Sequence, residues 1–206
     1  MKKIRSVAWS LSILLLASCK SNNSGSTNTT ATNSPATASK QSIETPVTKG
    51  PQFETAQAYN DYIINRQKEI YTYIFKMSDG LKVDVATAEK VIDEALPVID
   101  KVIEDVNAMP AFNGDTSFRN AAIKLFEFYR TTFNTSYRQV MAINKKGSKM
   151  TLADQTKLQK ISSDVSITEN GLDMIMKSAQ SNFATSNNSS VVENTELQKK
   201  VDNLAK

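Results

Sequence analysis

The strongest constraint on the fold is a run of apolar residues that repeats in steps of three and four. The run consists of Val85, Ala88, Ile92, Ala95, Ile99, Val102, Val106 and Met109. Such steps place side chains on one stripe of an α-helix, which is buried against other helices. Asp84 is a typical N-cap, and Pro97 lies about 120° from Val85 on a helical wheel, away from the stripe. We expect a helix here that bends at Pro97 around a helical core.

Gly- and Pro-containing breaks divide the chain after Pro51 into four helical segments. The breaks are Ser78-Asp79-Gly80, residues 110–114 and Lys146-Gly147-Ser148. The predicted helices cover 53–78, 84–108, 116–146 and 152–184. Because short loops between long helices make neighbours antiparallel, we expect an all-α, up-down-up-down four-helix bundle over residues 51–206. A short extra C-terminal helix around Leu197, Val201 and Leu204 is compatible with this fold.

The fourth predicted helix has a similar apolar stripe. Its members are Leu158, Ile161, Val165, Thr168, Leu172, Ile175 and Ala179. Thr151, followed three residues later by Asp154, is close to a capping box. The pattern predicts a helix whose whole length packs on the core in coiled-coil fashion.

The third predicted helix is richer in aromatic residues, and its apolar arc covers roughly 180° of the wheel. The arc contains Phe118, Ala121, Ala122, Leu125, Phe126, Phe128, Tyr129, Phe133, Tyr137, Val140 and Ile143. Aromatic stripes at helical spacing are usually core, so the favoured interpretation is the most buried helix of the bundle. The alternative is that these rings line a cavity.

Polar residues interrupt the apolar arc of the first predicted helix. Asn60 and Gln67 lie between its centre and one flank, and Arg66 lies within the other flank. A buried amide or guanidinium is costly unless it is paired, so each residue should have a partner inside the bundle or a polar ligand there. Selection of helix register is the simpler explanation, and ligand binding is the alternative.

The N-terminal residues have the pattern of an export signal. Lys2, Lys3 and Arg5 precede a mainly apolar run of about ten residues, which is too short to span a bilayer. The run ends in Leu16-Ala17-Ser18-Cys19, and Cys19 is the single cysteine of the chain. No disulfide can therefore form within the chain.

Residues 1–19 resemble bacterial lipoprotein precursors, in which the cysteine of this motif becomes the acylated first residue of the mature protein. The resemblance implies a signal peptide over 1–18 and lipidation of Cys19 with fatty acyl chains such as palmitate. Lys20 stands where an aspartate commonly retains such proteins in the inner membrane, so the outer membrane is favoured. The rest of the chain has a general likeness to helical-bundle lipoproteins of unknown function from Gram-negative bacteria.

Residues 20–50 are mostly Ser, Thr, Asn and Ala. A segment with so few bulky apolar residues cannot offset the entropy cost of ordering, so residues 19–50 are predicted to be a lipidated cysteine and a disordered tether. Removal of the signal takes three cations, which lowers Lys plus Arg from 25 to 22 against 21 acids. The mature protein is nearly neutral, which gives no indication of a nucleic-acid partner.

The composition argues against several classes of enzyme. The chain has no histidine, which excludes Glu-x-x-His di-iron sites, haem ligation by His, zincin motifs and Ser-His-Asp triads. Its glycines are scattered singly, so a Gly-rich phosphate loop is also missing. We expect no enzymatic activity, no cofactor and no metal.

Four carboxylates on one flank of the second predicted helix are the best candidate for a cation site. They are Glu89, Asp93, Asp100 and Glu104. High-affinity sites need ligands from several elements, and an acidic strip on one helix more often faces Lys or Arg of a neighbour. We therefore expect ion pairs there.

Two function classes follow from the sequence. The first is a non-enzymatic interaction module, anchored to the outer membrane by lipid and facing the periplasm or the cell surface, with a protein partner that the sequence does not identify. The alternative is a carrier that holds a small amphiphile against the aromatic rings of the third helix and the amides of the first.

Overall fold

The computed structural model describes residues 50–190. The signal, Cys19, almost all of the predicted tether and the segment around Leu197, Val201 and Leu204 lie outside the described residues. Statements about structure below concern residues 50–190.

The described chain is helical, as the apolar patterns predict. It contains α1 (Ala56–Val83), α2 (Val85–Asn107), α3 (Ser117–Thr131), a π-helical turn (Thr132–Tyr137), α4 (Arg138–Asn144), a short 3-10 turn (Gly147–Lys149) and α5 (Leu152–Ser186). Because α3, the π-helical turn and α4 follow one another directly, they form one long helical rod. This rod and α1, α2 and α5 make a four-helix bundle, which confirms the predicted helical fold.

The first predicted break is wrong. The helix does not end near Ser78 but continues to Val83, and Gly80 is buried inside it. A Cβ at Gly80 would lie 3.2 Å from the backbone nitrogen of Ala88, so the missing side chain lets α1 and α2 approach closely. The turn between the two helices occurs at Asp84, whose carboxylate caps α2 by accepting a hydrogen bond from the Thr87 amide at 2.6 Å.

The two ends of the bundle are formed by different connecting segments. The Gly50 end comprises Gly50, the α2–α3 loop (108–116) and the end of α5. Gly50 lies so close to this loop that a Cβ built on it would be 2.0 Å from the carbonyl oxygen of Ala108. Asn113 of the loop donates a hydrogen bond to Asn187, which follows α5. The Asp84 end comprises Val83, Asp84 and residues 145–152, and the ion pair between Lys145 and Glu89 at 2.7 Å connects its two parts.

The apolar stripe of α2 is buried as predicted. Ala88, Ile92, Ala95, Ile99, Val102, Val106 and Met109 are all 1% exposed or less, while Val85 is partly exposed. Pro97 is exposed, and α2 continues through it. The stripe of the third rod is also confirmed, since all its predicted members except the half-buried Phe128 are buried.

The predicted stripe of α5 is correct in its first half and only partly correct in its second, where Leu172 and Ala179 are half-buried against the core. Leu158 and Val165 are buried, but Thr168 and Ile175 are exposed, and Glu169, Met176 and Gln180 are buried instead. A strict seven-residue repeat falls about 20° behind a straight helix of 3.6 residues per turn in every heptad. Over a helix of 35 residues the buried face therefore moves onto residues one position later. The predicted capping box of Thr151 and Asp154 is present.

Candidate functional site

A pair of buried amides joins α1 to α5. The side-chain nitrogen of Gln180 donates a hydrogen bond of 2.7 Å to the side-chain oxygen of Asn60, and both residues are buried. The Asn60 nitrogen in turn donates to the Asp61 carboxylate at 3.1 Å. The predicted need of Asn60 for a partner inside the bundle is therefore met by the protein itself.

A second buried polar group lies further along the same two helices and includes a side chain of α3. Gln67 donates to the Tyr71 hydroxyl at 3.3 Å, and the hydroxyls of Tyr71 and Tyr129 are 3.1 Å apart. The Tyr129 hydroxyl donates to Glu169 of α5 at 2.9 Å. Because each hydroxyl has one hydrogen, Tyr71 donates to the Tyr129 oxygen when Tyr129 donates to Glu169. The hydrogen bonds thus run in one direction from Gln67 to the carboxylate.

We call these six residues the polar seam: Asn60, Gln67, Tyr71, Tyr129, Glu169 and Gln180. Four of them are the buried polar side chains of α1 and α5. Elsewhere the core contacts between neighbouring helices are mainly apolar, as along the stripe of α2. The polar seam is therefore the part of the described core that is richest in hydrogen-bonding side chains.

Glu169 has the most perturbed carboxyl group of the polar seam. Its residue is 4% exposed, and burial raises the pKa of the carboxyl from 4.5 to about 7. The hydrogen bond from Tyr129 lowers this pKa and the nearby Asp173 carboxylate raises it, but burial is the larger effect. Asp173 is itself paired with Lys177 at 2.7 Å, whereas Glu169 forms no ion pair with any residue in the range 50–190. Near neutral pH the buried carboxyl is therefore poised between its protonated and ionised forms.

The tyrosines around Glu169 remain protonated. Burial, reinforced by the negative charge of Glu169, raises the pKa of Tyr71, Tyr129 and Tyr137 well above the usual value of 10. Protonated hydroxyls can donate hydrogen bonds but do not act as bases. The group can bind and release one proton, and the surrounding side chains cover it.

Arg66 lies outside the polar seam. Its guanidinium contacts Glu69 at 2.6 Å and Asp105 of α2 at 3.3 Å, and stacks over the Tyr62 ring at 4.9 Å. Its side chain is 27% exposed. Arg66 therefore joins the α1 and α2 surfaces, separately from Asn60 and Gln67.

The acidic strip of α2 forms ion pairs with the third rod. Asp100 contacts Arg130 at 2.6 Å, Asp93 contacts Arg138 at 2.7 Å and Glu89 contacts Lys145 at 2.7 Å. Glu104 contacts Lys101 on its own helix at 3.4 Å. Within residues 50–190 no group of three or more Asp, Glu or Cys is arranged to hold a metal ion.

The sequence pattern did not identify Glu169 and Gln180 as seam residues. Asn60 and Gln67 stand out because they interrupt an apolar arc, but Glu169 and Gln180 lie one position after Thr168 and Ala179 of the predicted α5 stripe. Following the 3.6-residue period along all of α5 would have placed both on the buried face.

The described helices include none that is long and apolar enough to cross a membrane. Comparison of the chain with protein-family models, with curated proteins and with solved structures found no match.

Proposed function

We propose that the protein is a non-enzymatic lipoprotein, attached to the outer membrane through Cys19, whose helical bundle is an interaction module for another protein of the envelope or cell surface. The anchor rests on the lipobox pattern of Leu16-Ala17-Ser18-Cys19. An acylated cysteine with several chains, at about 0.8 kcal/mol for each buried methylene, would attach the protein very stably.

The observation that carries the proposal is that the polar side chains of the interior bond to one another. The amides of Asn60 and Gln67 have protein partners in Gln180 and Tyr71. Phe118, Phe126 and Phe133 are buried in the core cluster. A carrier would need unoccupied polar groups and open space beside these rings, so the alternative function is less well supported. Recognition by the outer surface is the better explanation.

The position of Gly50 suggests which part of the surface is accessible. A tether leading to Gly50 would join the bundle at its Gly50 end, so the Asp84 end would be turned away from the membrane. The contacts between neighbours run in opposite residue order, for example Asp93 with Arg138 and Asp100 with Arg130, which favours the up-down-up-down arrangement that this orientation needs. Val83 and Leu152 at the Asp84 end are 75% and 79% exposed.

Site-specific photocrosslinking in intact cells tests this proposal. A photoreactive residue at Leu152 should give a discrete crosslinked protein, whereas the same residue at the exposed Asn107, near the Gly50 end, should not. Crosslinking of equal strength at both positions, or at neither, would argue against a partner at the Asp84 end.

The anchor is tested separately by fractionating cells that express Cys19→Ala. We expect the variant to leave the membrane fraction, because the acyl chains supply the attachment. A variant that remains membrane-bound like the wild type would show that the protein is held by something else.

A further inference from the structure

An open groove lies between the start of α3 and the second half of α5. It has a volume of about 490 Å³; Met174, Ile175, Ser178, Ala179 and Asn182 line it from α5, and Asp115 lines it from just before α3. Met174 and Ile175 are 64% and 55% exposed, although both are large and apolar. No other described element covers these two side chains.

The same face of α5 carries no charge over its last five turns. The charged residues between 167 and 186 are Glu169, Asp173 and Lys177. On a wheel of 100° per residue these three lie at least about 100° from the centre of the groove face, which runs through Gly171 and Ser178. No atom of the described residues lies within 4 Å of a Cβ built on Gly171. An uncharged face that exposes two large apolar side chains on a long surface helix is typical of a helix that has a further packing partner.

The chain turns where α5 ends, at the edge of this groove. Asn188 has a left-handed backbone with φ of 51°, and the Ser189 amide donates to the Ala184 carbonyl at 2.9 Å. Such a C-terminal motif turns the chain away from the helix axis. Ser186 lines the groove and Ser190 is the last described residue, so the described chain ends within four residues of the groove.

The sequence of residues 191–206 fits this groove. Leu197, Val201 and Leu204 follow in steps of four and three, which makes one apolar stripe if the segment is helical. A helix of 16 residues would be about 24 Å long, and the distance along α5 from Ser186 back to Met174 is about 18 Å. The segment is thus long enough to reach Met174.

We propose that residues 191–206 pack antiparallel to α5 and cover Met174 and Ile175 in this groove. The short connection holds the segment at an effective concentration of about a millimolar or more, so it occupies the groove in preference to a second copy of the chain. This inference goes beyond the proposed function and does not depend on Cys19.

Crosslinking between engineered cysteines tests the proposal in the full chain carrying Cys19→Ser. Antiparallel packing brings Leu204 near Met174, so Met174→Cys with Leu204→Cys should be joined within one chain by a short bismaleimide. The control pairs Leu204→Cys with Gln159→Cys, an exposed residue about 22 Å further along α5. The control should give no product within one chain.

The proposal is overturned if the test pair crosslinks no more than the control, or if its product joins two chains, which would make a second copy the occupant. A second test leaves the groove residues unchanged by ending the chain after Ser190. The shortened protein should melt at least about 3 °C lower, and hydrogen peroxide should oxidise its Met174 several times faster. An unchanged melting temperature with unchanged oxidation of Met174 would also overturn the proposal.

Discussion

Replacing Glu169 with Gln removes the titratable group of the polar seam and nearly preserves its shape. In the wild type, burial raises the pKa of Glu169 from 4.5 to about 7. Each pKa unit corresponds to about 1.4 kcal/mol, so ionising this carboxyl in the folded protein costs about 3 kcal/mol more than in the unfolded chain. The neutral amide of the Glu169→Gln variant would not have this cost, and its side-chain oxygen can still accept the hydrogen bond from Tyr129.

The sign of the pH dependence follows from proton binding. Between pH 4.5 and about 7 the folded wild type binds more protons at Glu169 than the unfolded chain does. Its free energy of unfolding should therefore rise as the pH falls from 8 to 5, by up to about 3 kcal/mol. The pKa values of Asp84, Asp115 and Asp154 are lowered, so these groups act below this range. At pH 8 the Glu169→Gln variant should be the more stable protein, and near pH 5 the two should converge.

Urea denaturation followed by circular dichroism, repeated from pH 5 to 8, measures this difference. Asp164→Asn is the matched control, because Asp164 is an exposed acid on the same helix that pairs with Lys160 at 2.9 Å. The control should keep the pH slope of the wild type. Parallel pH profiles for the wild type and Glu169→Gln would refute the raised pKa.

Three further substitutions test the packing. Ile99→Asp places an unpaired carboxylate at a fully buried position, so it should abolish cooperative unfolding or cost more than about 4 kcal/mol; a melting temperature near that of the wild type would mean that the α2 stripe is not core. Gly171→Ala should raise the free energy of unfolding by about 0.5–1 kcal/mol, because no atom of residues 50–190 lies within 4 Å of a Cβ there and Gly171 lies about a turn beyond Met174, the residue that Leu204 is expected to reach; a loss of stability in urea would contradict this. Asn60→Leu should cost about 1–3 kcal/mol by leaving Gln180 without its partner, and adding Gln180→Leu should restore much of the loss; additive losses in the double mutant would contradict the pairing.

The sequence predicts the helices well because their apolar patterns are local. The stripe of α2 and the caps at Asp84 and Thr151 are specified by neighbouring residues, and the structure contains them. The end of α1 could not be predicted in the same way. Glycine is common at helix ends, but Gly80 lies inside α1, where α2 packs against it, and this contact depends on the tertiary structure.

The third rod contains an irregularity that its apolar pattern does not show. Residues 132–137 form a π-helical turn, within which Thr132 and Phe133 are both buried. The Thr135 hydroxyl donates to the Thr131 carbonyl at 2.6 Å, a bond that competes with the regular backbone ladder. Many helices contain threonine without such a turn, so the sequence alone does not predict it.

The polar seam was half predicted. Asn60 and Gln67 are conspicuous in α1, whereas their surroundings on α5 depend on the rotation of that helix along its whole length. A small error in the assumed period moves Glu169 and Gln180 from the interior to the surface. Contacts between helices that are far apart in the sequence are the feature of the fold that local sequence patterns specify least.

The intact mass of the protein, extracted from membranes and measured under native conditions, tests the central proposal most directly. An anchored interaction module whose interior is filled by its own side chains predicts one species, the acylated chain that begins at Cys19, without a bound small molecule. A chain without acyl groups would contradict the anchor. An additional stoichiometric mass that is released on denaturation would contradict the closed interior and favour the carrier.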